Sequence, residues 1–172
     1  MKKFCTFIIA CLYGIFSVAT SAQIDISGIA SWTPMYNSTA SWEEGAFGSN
    51  ALDFPDYGWG MYNMLTHGLT GDSLFVIKDL KGDYKKLWIV EKDGQQNYTF
   101  RFGAVDGSNE REVHLGTNDY STKHFVHYSL SGDSVVDQQP AADSWDLLLT
   151  KFQHTGLDYV VRSEERRVGK EC

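Results

Sequence analysis

Residues 71–104, GDSLFVIKDLKGDYKKLWIVEKDGQQNYTFRFGA, decide the fold. They read as three consecutive strands joined by two tight connections. The first strand is 73–78, a short apolar run, and 79–83 (DLKGD) turns the chain. The second is 84–91, and 92–97 (KDGQQN) turns it again. The third, 98–104, alternates: Tyr98, Phe100 and Phe102 fall on one face, Thr99 and Arg101 on the other. Period-two patterning between Gly, Asp and Asn clusters is the signature of pleated strands. The expected fold class is mainly β, with antiparallel sheets and meanders. No stretch beyond the N-terminal leader holds a helical period.

Working outward, the chain has 172 residues, 42% of them apolar and 14% aromatic. That composition supports a packed core rather than disorder. The formal net charge of −7 repels phosphate backbones and anionic lipid, which argues against nucleic acid or a membrane surface as partner.

Residues 1–22 read as a secretory signal peptide. Lys2 and Lys3 give the positive start, an apolar stretch follows, and Ala19, Thr20, Ser21 and Ala22 are small residues suited to cleavage. Gln23 then becomes the first residue. The apolar run is too short and wrongly flanked to span a bilayer, so the chain is not expected to be an integral membrane protein. Ile8–Cys11 (IIAC) offers a competing lipoprotein box, with Cys11 as the lipidated residue. Both readings place the protein outside the cytoplasm: periplasmic, extracellular or surface-associated. Cys5 and Cys11 belong to this leader, and the remaining Cys172 cannot build a disulfide framework.

Residues 162–172, RSEERRVGKEC, are mostly charged and contain no aromatic residue. They resemble an in-frame translation of a common sequencing adapter, and are read as a non-native tail.

Between leader and meander, 23–30 is expected to form a short strand. Residues 31–60 form a long ordered loop carrying Trp32, Tyr36, Trp42, Phe47, Phe54, Tyr57 and Trp59 among prolines and glycines. Ser41–Glu44 could add one helical turn. The seven aromatics either plug one end of the sheet or line a ligand cleft. Residues 61–70 lead into the meander. Beyond it, short strands are expected at 112–115, 123–130, 145–152 and 157–161.

Motifs for catalysis are missing. There is no G-x-S-x-G elbow, phosphate loop, H-E-x-x-H or EF-hand pattern, and the chain is not expected to be an enzyme. Asp106, Asn109, Glu110 and Glu112 lack the spacing of a calcium loop and read as a solvated turn. Glu43 and Glu44 are adjacent and would point apart. His124 and His127, three apart on one strand, would face opposite ways. His114 and His154 stand near loops without a partner. His67, Met61 and Met64 lie in a segment flanked by Tyr57, Trp59 and Tyr62. Histidine or thioether beside aromatic rings suits a haem-iron ligand set; it also suits ordinary packing.

Residues 57–102, with YGWGMYNMLTHGLTGDSLFVIKDLKGDYKKLWIVEK and NYTFRF, resemble the second half of the HmuY-like haem-binding domain of Bacteroidetes. Residues 125–152, with FVHYSLSGDSVV and SWDLLLTKF, resemble its first half. The order is inverted. The resemblance therefore divides the chain into 23–107, the C-terminal half of one module with its aromatic loop, and 108–161, the N-terminal half of a second. Relatives of this kind are exported by the type IX system. The resemblance implies an incomplete or permuted all-β module that binds haem without enzymatic activity, its cleft lined by Trp59, Met61, Met64 and His67. The alternative is a surface adhesin or structural module whose exposed aromatics stack on a glycan ligand. The complementary halves further imply that 145–152 completes the sheet begun by 73–104.

Overall fold

The computed structural model describes residues 22–38, 44–79, 81–154 and 157–165, with backbone alone over 148–165. The protein is mainly β. A six-stranded antiparallel sheet holds β1 (Gly60–Asn63), β2 (Gly68–Gly71), β3 (Leu74–Lys78), β4 (Tyr84–Lys92), β5 (Tyr98–Ala104) and β6 (Arg111–Leu115). Two hairpins stand outside it: β7 (His127–Ser129) with β8 (Ser134–Val136), and β9 (Leu147–His154) with β10 (Leu157–Glu165). The described residues otherwise contain three short 3-10 turns and no α-helix.

The meander forms as its pattern dictates. Register sets Phe75 opposite Leu87, Leu87 opposite Phe102, and Phe100 opposite Val113. Their side chains share one face, where Leu87, Phe100 and Phe102 make the buried core. Each such side chain removed from water is worth about 1.5–3 kcal/mol. Phe47 from the aromatic loop packs on this cluster and meets Phe75 with ring centroids 4.7 Å apart. Tyr128 of β7 closes it from above, edge-on to Phe100 at 5.1 Å. The two turns are fixed by aspartates. Asp79 Oδ1 accepts the Lys81 and Asp83 N–H groups, and Asp93 Oδ1 accepts those of Gln95 and Asn97. Both are side-chain mimics of a backbone turn.

β4 is the axis of the sheet. One edge carries β5 along its length; the other is shared, with β3 along residues 84–88 and β2 at Glu91 and Lys92. Between β2 and β3 the chain passes so close to β4 that a Cβ on Gly71 would stand 1.6 Å from the Ile89 carbonyl oxygen. Only glycine fits there.

Four expectations are corrected. Residues 23–30 form no strand: Asp25 Oδ1 takes the Ser27 N–H at 2.8 Å and bends the chain into a 3-10 turn at Ile29–Ser31. Residues 61–70 are more than a lead-in, since most of them belong to the β1–β2 hairpin. Of 123–130, only His127–Ser129 pairs as a strand. Residues 145–152 do not complete the meander. β9 pairs with β10 instead, and no strand of the six-stranded sheet is its partner among the described residues. The physical reason is proximity in sequence: a short hairpin closes at far lower entropic cost than a contact spanning forty residues or more. β10 also runs on through Arg162–Glu165, four residues of the tail, which pair with Leu147–Thr150.

The 107/108 division lies in the connection between β5 and β6, which are paired neighbours. The leader up to Ser21, residues 41–43 of the expected turn at Ser41–Glu44, and Cys172 lie outside the described residues. No helix among the described residues is long and apolar enough to cross a membrane.

Candidate functional site

The candidate residues Met61, Met64 and His67 belong to one element, the β1–β2 hairpin, and Trp59 stands at its base. Asn63 builds the hairpin turn. Its Oδ1 accepts the N–H groups of Leu65 at 2.8 Å and Thr66 at 3.3 Å, and its carbonyl accepts that of His67 at 2.9 Å. This wraps 64–67 tightly enough to force His67 to φ 54°. A non-glycine residue there is held against a cost of about 1–2 kcal/mol. The Tyr62 hydroxyl, 2.7 Å from His67 Nδ1, supplies part of the compensation.

Register separates the candidates. Tyr62 lies opposite Leu69, and Met61 opposite Thr70. Tyr62 and the buried Leu69 therefore share the core side, whereas Met61 and Thr70 face the other way. Tyr62 touches Phe54 at 5.7 Å and Tyr57 at 6.0 Å between ring centroids, and His67 at 6.2 Å. The structure thus brings His67 to Tyr62, and Tyr62 to Phe54 and Tyr57. It places Met61 across the strand from them, and Met64 at the turn, exposed beside Leu65. Trp59 is half-buried over Tyr98, with centroids 6.3 Å apart, and its carbonyl accepts the Asp72 N–H.

A cleft of about 540 Å³ adjoins this cluster. Tyr36, Phe54 and Tyr57 supply its apolar walls, Glu44 and Asp56 its carboxylates. Phe47 and Trp59 plug the sheet, while Tyr36, Phe54 and Tyr57 line the cleft. Phe54 and Tyr57 line the cleft and also pack on Tyr62, the partner of His67.

For a haem, the donor set fits one axial ligand well. His67 is exposed, its Nδ1 is engaged by Tyr62, and Nε2 makes no hydrogen bond among the described residues. A ring nitrogen fixed on one side and open on the other is the usual state of a ligating histidine. Met64 is the other candidate side chain in the same turn, and Met61 lies on the strand face away from Tyr62. No group of three or more His, Cys, Asp or Glu side chains among the described residues could hold a metal ion.

The opposite sheet face is polar. Arg101 pairs with Glu112 and lies over the Trp88 ring at 5.8 Å. His114 contacts Glu112 at 3.3 Å and Thr99 at 3.1 Å. The expected solvated turn holds only in part: Asp106 and Asn109 are exposed, Glu110 is half-buried and Glu112 lies on β6. Asp106 Oδ1 accepts the Ser108 N–H and hydroxyl, and these bonds draw its carboxyl below the usual range. His124 and His127 do not share a strand; both lie beside the Phe125 ring, and His124 packs on Trp145. Sequence reasoning missed Tyr62 as the partner of His67, because the hairpin that joins them carries no alternation and no glycine at its left-handed position. No family model, curated protein or solved structure matches this chain.

Proposed function

We propose that this chain is an exported, non-enzymatic binding protein of HmuY-like character that takes haem or a related porphyrin at the β1–β2 hairpin. One observation carries the reading. His67 is held in a left-handed backbone conformation, with Nδ1 on the hydroxyl of Tyr62, whose own ring packs against Phe54 and Tyr57, and with Nε2 open. A strained residue at an exposed turn, fixed by a second-layer hydrogen bond, is the pattern of a ligand clamp. His67 would hold the iron and Met64 is the second candidate donor. Phe54 and Tyr57 offer faces for the macrocycle, Trp59 supports the base of the hairpin, and Met61 stands outside the donor set. Haem supplies an iron centre able to accept such axial ligands.

A glycan reading has one specific support. Tyr36 and Tyr57 line a cleft that also holds the Glu44 and Asp56 carboxylates, and aromatic faces beside hydrogen-bonding groups suit a sugar ring. Titration with haemin, set against a glycan array, separates the two. A Soret shift that is lost in His67→Ala supports haem. No shift, with glycan binding lost in Tyr57→Ala, replaces that reading with the second.

A further inference from the structure

Two anchored segments build the walls of the 540 Å³ cleft. In the first, residues 36–38 are tied to 44–46. The Ser38 N–H donates to the Glu44 carbonyl oxygen at 2.8 Å, and the Ala46 N–H donates to Asn37 Oδ1 at 2.9 Å. The second segment, 54–57, is fixed to β1 by the Tyr57 N–H on the Gly60 carbonyl oxygen and the Tyr62 N–H on the Pro55 carbonyl oxygen. Gly58 lets the two run close together. Its φ is 81°, and a Cβ there would stand 2.9 Å from both the Phe47 carbonyl oxygen and the Ala51 nitrogen. The walls are therefore set before any ligand arrives, which lowers the cost of binding one.

The chemistry of the lining is one-sided. Asp56 is half-buried and held in one orientation, with Oδ2 on the Leu52 N–H at 3.1 Å and Oδ1 on the Gly58 N–H at 2.6 Å. Glu44 adds a second carboxylate, and no lysine, arginine or histidine lines the cleft. The same bias runs along the chain. From Gln23 to Ile77 the charged residues are Asp25, Glu43, Glu44, Asp53, Asp56 and Asp72, without one lysine or arginine. A cleft lined by a single sign of charge draws ligands of the opposite sign. The rings act in the same direction, because an aromatic face is negative and attracts cations. Phe54 and Tyr57 are 62% and 44% exposed although their backbone is fixed, so their rings are open to a ligand. A neutral sugar would use the rings and gain nothing from the charge. A bare metal ion would use the carboxylates and not the rings. A carbon-bearing cation uses both.

We infer that the cleft binds an organic ammonium ion. Its charged head lies against the Tyr57 and Phe54 rings, beside the Asp56 and Glu44 carboxylates, and its carbon body takes the remaining volume, which is of the size usual for small-molecule sites. The site does not depend on His67 and holds whether or not haem binds at the hairpin.

Calorimetric titration of the full chain tests it. The probes are choline, its uncharged isostere with a tert-butyl group in place of the trimethylammonium, n-butylammonium and cellobiose. Choline or n-butylammonium is expected to bind saturably, and comparison of the two tells a quaternary head from a primary one. The uncharged isostere should bind at least about tenfold more weakly than choline. Glu44→Gln, at an exposed position, should weaken the cation about threefold. Tyr57→Leu should weaken it about tenfold. If Tyr57→Leu lowers the urea midpoint, Glu44→Gln alone decides. Equal binding of choline and its isostere overturns the assignment, as does cation binding unchanged in Glu44→Gln and in a stably folded Tyr57→Leu. Saturable binding of cellobiose with no binding of either cation overturns it in favour of a neutral sugar, and no binding of any probe overturns it outright.

Discussion

The Tyr62 hydroxyl reaches across the β1–β2 turn to Nδ1 of His67 at 2.7 Å. With Nδ1 carrying its proton, the ring donates to Tyr62 and presents a lone pair at Nε2, the form that binds iron. Tyr62→Phe is therefore expected to weaken haemin binding about tenfold while leaving the Soret band in place. His67→Ala should remove the band, and Met61→Ala should leave affinity unchanged. Visible titrations of the four proteins check this. A Met61→Ala effect as large as that of His67→Ala would show that the ligand sits on the other face of the hairpin.

Gly71→Ala would put a methyl group 1.6 Å from a backbone oxygen of β4. Neither partner is a flexible side-chain end, so one strand has to move. The substitution is expected to cost about 3 kcal/mol or more. Urea denaturation measures it, and a loss below about 1 kcal/mol would mean that the junction between β2 and β3 yields easily.

Asp93 governs the β4–β5 turn. Its side-chain bond from Asn97 Nδ2 leads the causes that hold its carboxyl below the ordinary value of 3.8. A depressed carboxylate contributes stability that is complete above its unfolded value and is lost as pH falls through the folded one. Asp93→Asn should therefore narrow its stability deficit against wild type only below about pH 3.8. Urea midpoints from pH 7 down to pH 2 test the sign. A gap that stays constant across that range would remove Asp93 as the titrating group.

Tyr128 titrates in the opposite direction. Burial, then the hydrogen bond to Asp133 and its charge, push the phenol from 10.0 up to about 12. A raised acid stabilises the fold fully below its unfolded value and loses that contribution as pH rises toward the folded one. Tyr128→Phe should cost about 1 kcal/mol near neutral pH by removing the bond to Asp133. The difference should shrink between pH 10.0 and about 12. Alkaline denaturation of both proteins, followed by circular dichroism, provides the comparison.

Ending the chain at Val161 deletes the residues that pair with Leu147–Thr150. The six-stranded sheet shares no strand with that hairpin, so its urea midpoint should change by no more than about 0.5 kcal/mol in stability. Amides of β9 should exchange freely in the same protein. A larger loss would reveal support from the hairpin to the sheet.

The meander was legible because two requirements agreed along it. Tyr98, Phe100 and Phe102 alternate, and Asp79 and Asp93 sit where turns need side-chain acceptors. β5 follows its expected limits and β4 differs by one residue. The β1–β2 hairpin was not legible, because Met61–Thr70 neither alternates nor carries a glycine at its left-handed position. His67 fills that position, supported by its hydrogen bond with Tyr62. The charged side chain of Lys86 gave no sign of burial, since its cover comes from a segment sixty-four residues earlier in sequence. Trp145–Phe152 has the composition of an inner strand, and composition does not specify a partner. Of the candidate site, its place in the chain was readable, but the face on which each residue stands followed only from register.

Gly60 lies directly opposite Gly71, with the carbonyl oxygen of Thr70 just 2.6 Å from where a Cβ on Gly60 would stand. The two ends of the haem-candidate hairpin thus meet at a pair of side-chain-free positions, and only Leu69 and Thr70 bind it laterally to β4. Its other edge is held by the aromatic loop, through the Tyr62 N–H on the Pro55 carbonyl oxygen. Its ten intervening residues could be exchanged for another turn between two fixed, adjacent ends, with the sheet serving as an interchangeable handle.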